Sequence, residues 1–198
     1  MKLIVAREPL KRVLIWSQRS LLVIAASLLA WCGYVLLDTW SFQRTEQRQF
    51  EVLRVHRIAT PGAIPAPASG GLIGRIEIPR LQLSVVVIEG TGSTTLRRAV
   101  GHLRGTALPG HPGNIGISGH RDTFFRPLRN IRKDDVITLT TLDGEYHYRV
   151  ISTSVVLPSD VGALDSDRRE ILTLVTCYPF YFVGSAPNRF IVRAEKIE

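Results

Sequence analysis

Cysteine is nearly absent from this chain of 198 residues, which has only Cys32 and Cys177. Cys32 lies inside a long apolar run, so the two cannot pair within one soluble domain. No disulfide framework exists, and Cys177 reads as a free thiol. A basic domain face with interleaved aromatics is also missing. The net charge is +8, but the excess is concentrated in the first third. Lys and Arg outnumber Asp and Glu 9 to 4 before residue 72, and only 16 to 13 from there on. With no recognition motif either, nucleic-acid binding is excluded. Asp160, Asp165 and Asp167 fall in one segment without EF-hand spacing, so neither calcium nor any other metal or cofactor is expected. Strands and helices do not alternate, which excludes a parallel α/β architecture.

Charge disappears altogether over residues 20–37, SLLVIAASLLAWCGYVLL. Eighteen helical residues at 1.5 Å each reach about 27 Å, close to the ~30 Å hydrocarbon core of a bilayer. Trp31, Tyr34 and Trp40 cluster toward the far end, as interfacial aromatics do. No small-x-small cleavage site follows, so an uncleaved anchor is expected rather than a signal peptide. Lys2, Arg7, Lys11, Arg12 and Arg19 precede the run and place the N-terminus in the cytoplasm. The remainder then lies outside the plasma (inner) membrane, on a single-pass anchor. The lack of disulfides favours a reducing compartment, but the topology carries more weight.

The expected organisation is a basic cytoplasmic segment over 1–19, a membrane anchor over 20–40, a stalk and linker over 41–71, and a folded domain over 72–198. Residues 43–58, QRTEQRQFEVLRVHRI, are polar and helix-permissive, with a weak stripe of Phe50, Leu53 and Ile58. His56 has no ligand types beside it and reads as solvated. Residues 59–71, ATPGAIPAPASGG, have linker composition. From Leu72 the pattern turns to β. Strands are expected over 72–78, 83–88, 114–119, 135–141, 145–156, 171–176 and 189–196. Helices are expected over 94–100, capped by Ser93 or Thr94, and over 124–131, capped by Asp122 or Thr123. Residues 101–113 read as loop, with His102 and His111 at the surface. Asp143-Gly144 reads as a two-residue hairpin turn, and His147 points to solvent. Many short strands with Gly/Pro turns imply an all-β barrel or sandwich.

Cys177 ends an apolar β-branched strand, and Tyr178-Pro179 follow at once. Rigid backbone at a strand end can aim a thiol into a cleft. A thiol with a pKa near ~8.5 needs a base or cation beside it to become a nucleophile. His120, after the glycine-rich segment 114–119, is the histidine so placed. Arg189, twelve residues past Cys177, opens the last strand. Its fork of N–H donors suits an oxyanion. Arg193 shares its strand face by the period of two. Taken singly, each has a plainer reading: Cys177 as a small buried hydrophobe, Arg189 as a surface charge.

Together these residues resemble a known family. Thr173-Leu174-Val175-Thr176-Cys177 is similar to the TLxTC motif of sortases, the membrane-anchored cysteine transpeptidases of bacteria. Ser118-Gly119-His120-Arg121 resembles their histidine motif, and Arg189 their arginine. The resemblance covers 72–198, and Cys-Tyr-Pro with GHRDTFFRPL looks most like class D. It implies a closed seven- to eight-stranded β-barrel with short helices. It also implies attack by Cys177 on the threonyl carbonyl of an LPxTG-like signal at the C-terminus of a client protein. A thioacyl enzyme would then be resolved by an amine of peptidoglycan or of a protein. His120 would serve as acid and base, and Arg189, with the N–H after Cys177, as oxyanion donor. Ser118, Thr176 and Tyr178 would line the substrate. The alternatives are a cysteine hydrolase on the same scaffold and a non-catalytic, membrane-tethered peptide-binding β domain. An L,D-transpeptidase would carry Ser-x-Gly-Cys, which is absent.

Overall fold

The computed structural model of the chain describes residues 7–59, 70–165, 169–182 and 184–197. Two compact units divide after Ser41. The first is helical. A single helix, α1 (Arg7–Ala59), begins in it and runs on past the division. Pro9 sits in the first turn, where a missing N–H costs nothing, and the next proline is Pro61, so nothing interrupts the helix. Among the described residues this is the one helix long and apolar enough to cross a membrane, with a mean hydropathy of 2.2 over its apolar 18-residue window. Most of the linker composition over 59–71 falls outside the described residues.

The second unit is a closed barrel of eight strands: β1 (Leu72–Ile78), β2 (Leu83–Glu89), β3 (Val100–His102), β4 (Gly113–Ser118), β5 (Val136–Thr141), β6 (Glu145–Val156), β7 (Glu170–Tyr178) and β8 (Asn188–Ile197). Their order around the barrel is β1-β2-β3-β4-β7-β8-β6-β5, and β5 closes onto β1. Two pairs are parallel, β2 with β3 and β4 with β7; the others are antiparallel. The alternation in the sequence explains what fills it. Ile76, Ile78, Val85, Val87, Ile115, Ile117, Ile137, Leu139, Tyr148, Leu172, Leu174 and Val192 form one continuous core. Each such side chain contributes about 1.5–3 kcal/mol through burial.

The start of the unit is the last part of α1. Phe42 packs with Val86, Ile88, Ala99 and Leu72 in a smaller cluster on the barrel. Gln43 donates to Arg98 O and accepts from the Val86 N–H. Phe50 is buried. The segment after residue 41 is therefore docked helix over at least this stretch.

Several local expectations shift. β3 starts on Val100, expected to end the helix over 94–100, and runs into the segment read as loop. The short helix α2 (Ser93–Arg98) starts after Gly92, with no side chain capping it. Residues 126–130 form a 3-10 turn preceded by Phe125, so neither Asp122 nor Thr123 caps it. The β5–β6 hairpin turns at Leu142-Asp143, one residue early, because the Thr141 N–H donates to Gly144 O. Its Thr141 hydroxyl also accepts from the Asp143 and Gly144 N–H groups.

The barrel end away from the Cys177 end of β7 is held by polar contacts. The Glu170 carboxylate accepts from Tyr148 Oη at 2.6 Å, the Gly110 N–H at 3.1 Å and Lys196 Nζ at 2.7 Å. Burial by itself would raise this carboxyl, but the bonds from Lys196, Tyr148 and Gly110 outweigh it and hold it below the usual range. Burial, with Glu170 adjacent, pushes the Tyr148 hydroxyl far up. Asp135 is likewise held low, first by its bonds from Arg80. A carboxyl depressed on folding stabilises the fold above its unfolded pKa, and that stability is lost as pH falls through the folded value. The thermal midpoint of the barrel, followed by the amide I β-sheet band, should therefore drop between about pH 5 and lower pH. Glu170→Gln should lower the midpoint at neutral pH and flatten the acid limb. Equal acid slopes in both proteins would remove Glu170 from this account.

Candidate active site

Strand alternation sorts β7 into two faces. Leu172 and Leu174 point into the core, so Thr173, Val175 and Cys177 lie on the outer face. β8 is in register beside them. Cys177 pairs directly with Arg189, Val175 with Ile191 and Thr173 with Arg193. Arg189 therefore stands level with the thiol. Arg193 lies four residues along the strand, about 13 Å away. On the other side of β7, Ser118 of β4 pairs with Val175 and shares the outer face.

His120 follows immediately. Its backbone is delivered to β7 by two hydrogen bonds. The Gly119 N–H donates to Val175 O at 3.1 Å, and the Thr176 hydroxyl donates to Gly119 O at 2.8 Å. These place the residue before His120 beside the residue before Cys177. Gly119 is needed there: a Cβ would meet Phe125 at 2.8 Å and the Val100 Cγ1 at 2.9 Å. Gly116 is similarly crowded by Leu103 and Leu164. Close approach, rather than room for a ligand, accounts for both glycines. His120 is exposed and Cys177 half-buried; Cys177 is a free thiol.

The other histidines fare differently. His102, expected at the surface, is buried. Its Nδ1 is 2.7 Å from a Glu89 carboxylate oxygen, and its Nε2 is 2.9 Å from Ala107 O. The parallel β2–β3 pairing sets Glu89 opposite His102, which is why thirteen residues of separation did not reveal the pair. His111 is exposed beside Pro109 O. His147 lies on β6 near Thr138 and Glu145, partly exposed. The side chain of His56 lies outside the described residues.

Thr176 and Tyr178 take the face opposite Cys177. Thr176 is buried, and its hydroxyl is spent on Gly119 O. Tyr178 joins Phe180 and Phe190 in an aromatic group at the barrel end, with centroids 5.3–6.3 Å apart. Of the three residues expected at the substrate, Ser118 alone shares the thiol's face. Asp122 sits 3.5 Å from the Arg121 Nε, in place of a capping role.

Two loops border this face. In the β6–β7 connection, a 3-10 turn over Gly162–Leu164 lies against β4. Asn114, 2% exposed, donates to Ala163 O and Asp165 O and accepts from the Thr173 hydroxyl. The β7–β8 connection joins Cys177 to Arg189. Arg189 donates to Ala186 O at 3.3 Å and to Asn188 O at 3.0 Å, so its guanidinium rests along that loop. Arg121 entered the sequence reading only as a member of the histidine motif and Asn114 only as a strand residue, since nothing in their spacing marks a tether.

Residues 76–197 match the family model described as the sortase domain. The chain is 36% identical over 132 residues to Sortase D of Bacillus subtilis (strain 168), covering 66% of this chain and 67% of that protein. It is 30% identical over 110 residues to Sortase A of Listeria monocytogenes, and there it spans about half of the relative's length. Among solved structures, a Clostridium perfringens Sortase D5 transpeptidase superimposes with a TM-score of 0.65 at 26% identity. That match covers 80% of this chain and 97% of the other. Sortase A from Corynebacterium diphtheriae gives 0.62 at 34% identity, covering 66% and 63%.

A methyl group at Gly119 has to displace Phe125 or Val100. Gly119→Ala should therefore cost about 1–3 kcal/mol of stability, as overpacking does. Adding Val100→Ala should recover part of that. Chemical denaturation of the single and double variants tests this, and a Gly119→Ala protein as stable as wild type would contradict the packing described.

Proposed function

The chain belongs to the sortase family of cysteine transpeptidases, and we propose that Cys177, His120 and Arg189 carry its chemistry. The pairing of Cys177 with Arg189 on one face of the barrel, with His120 delivered beside it, supports this reading above any other observation. The substrate is a protein bearing an LPxTG-like signal at its C-terminus. The Cys177 thiolate attacks the threonyl carbonyl carbon, and a C–S bond forms as the carbonyl becomes an oxyanion. Arg189 and the N–H after Cys177 donate to that oxygen. Collapse breaks the C–N bond, and His120 gives its proton to the departing amine. An incoming amine, from peptidoglycan or a protein, then attacks the thioacyl carbon. His120 takes the amine's proton, and the thiolate leaves as the new amide forms. Ser118 lines the substrate, while Thr176 and Tyr178 act from behind by packing. No cofactor is assigned. The class D resemblance is supported by both the Bacillus and the Clostridium matches.

We further propose that residues 1–19 are cytoplasmic, residues 20–40 cross the plasma membrane, and the catalytic domain from 72 on faces outward. The basic residues before the apolar run support that orientation. Protease added to sealed right-side-out vesicles should digest the barrel; a protected barrel would reverse the orientation.

The central test uses the full chain in detergent with an LPxTG-type peptide library and glycylglycine, followed by mass spectrometry. A threonyl–glycylglycine product is expected, and Cys177→Ala should abolish both product and thioacyl enzyme. His120→Ala should lower turnover by about 10²–10⁴-fold and Arg189→Ala by about 10²–10³-fold. Cleavage with no amine adduct would favour the hydrolase. Absence of acyl enzyme across the library would favour a binding domain.

A further inference from the structure

Arg121, directly after His120, is 6% exposed. Its Nε lies 3.5 Å from Asp122. Its guanidinium reaches into the loop that joins β7 to β8 and donates to three backbone carbonyls: Pro179 O at 2.9 Å, Phe182 O at 2.7 Å and Gly184 O at 3.0 Å. Its carbon centre also lies 5.9 Å from the Phe182 ring. Among the loop's other aromatic side chains, Tyr181 lies under the Arg129 guanidinium at 5.4 Å. Tyr181 is 77% exposed and Phe182 45%. Phe180 alone of the three packs against the core. A planar fork of donors suits three diverging carbonyls in a way that a point charge does not.

The tether spans the catalytic group. One end is bonded in sequence to His120. The other fixes a loop that starts two residues after Cys177 and ends two residues before Arg189. The far half of the same loop is held by Arg189 itself, through Ala186 O and Asn188 O. We propose that Arg121 is a positioning residue: it fixes the β7–β8 loop against the His120 turn. In this way it sets the approach of His120 and Arg189 to the thioacyl carbon and limits the entry of water there. The role rests on the reading of Cys177 as the acylated nucleophile. Arg121 touches no reacting atom, so its loss should show in how the thioacyl enzyme is resolved as well as in overall rate.

The ratio of hydrolysis to aminolysis tests this directly. A variant that is merely less folded loses both products by the same factor and keeps the ratio. A loosened loop admits water and changes it. In the full chain in detergent, with an LPxTG-type peptide and glycylglycine, Arg121→Ala should raise the hydrolysed fraction relative to the adduct by about tenfold. That is the factor expected from losing a charge-assisted hydrogen bond. Arg121→Lys, which keeps the charge but not the fork, should fall between. Hydrogen exchange of the loop amides over 180–186, measured without substrate, should rise in both variants while the β7 amides stay protected. A wild-type ratio and wild-type loop exchange in both variants would overturn the proposal. If wild type forms no acyl enzyme, the assignment of Cys177 falls, and the exchange measurement still decides whether Arg121 holds the loop.

Discussion

The arrangement depends on β7 having a parallel partner on one side and an antiparallel partner on the other. Parallel pairing with β4 brings the C-terminal ends of both strands to the same end of the barrel, so His120 emerges where Cys177 does. Antiparallel pairing with β8 brings the start of β8 to that end, so Arg189 emerges there too. Backbone registry thus brings the three residues to one end of the barrel, and the Thr176 hydroxyl on Gly119 O fixes the turn into His120. A one-residue slip would turn Cys177 inward and replace it with Thr176 or Tyr178. The buried Leu172 and Leu174 oppose such a slip, because it would move both out of the core. Core packing and the proposed chemistry are in this sense one constraint, applied to the two faces of a strand.

The two ends of β7 do different work. At its start, Glu170 is fully engaged by Tyr148, Gly110 and Lys196, and the strands there are fastened together. At its other end the buried Arg121 holds the β7–β8 loop by its backbone carbonyls. Asn114, level with Ile171 near the start of β7, holds the β6–β7 loop in the same manner. A site that must admit a peptide cannot be sealed by apolar burial. Buried side chains reaching out to loop carbonyls give order without filling the groove. Such tethers are demanding, since a buried donor left without its acceptors costs about 1–3 kcal/mol.

Much of this was legible from residue order. The alternation in 137–139 and 146–150 gave faces as well as strands, and the thiol strand, His120 and Arg189 stood out by type and place. What escaped depends on contacts that local pattern does not encode. β3 is three residues in a Gly/Pro-rich stretch, and only its pairing with β2 and β4 makes it a strand. The burial of His102 requires Glu89, supplied by that same pairing. Thr176 and Tyr178 were assigned to the substrate because they flank the cysteine. Strand alternation, applied to them as it was to the core, puts both on the opposite face. The helix caps failed because Asp122 has a nearer partner in Arg121, and the chain turns through His120 O and the Phe125 N–H before the 3-10 segment begins.

In the proposed mechanism, the three proposed catalytic residues do not by themselves choose between transfer and hydrolysis. A thioester beside an imidazole and a guanidinium can be attacked by water or by an amine, with the same proton bookkeeping for either. What separates the outcomes is which nucleophile reaches the carbon, and that depends on the loops over the outer face. The β7–β8 loop is the sharper determinant in the proposed reading, because it connects the strand ends that carry the proposed nucleophile and the proposed oxyanion donor. Any displacement of it moves both. A change that leaves Cys177, His120 and Arg189 untouched can therefore turn a transferase toward hydrolysis. The residue best placed to do so is the buried arginine that holds the loop from the far side of His120.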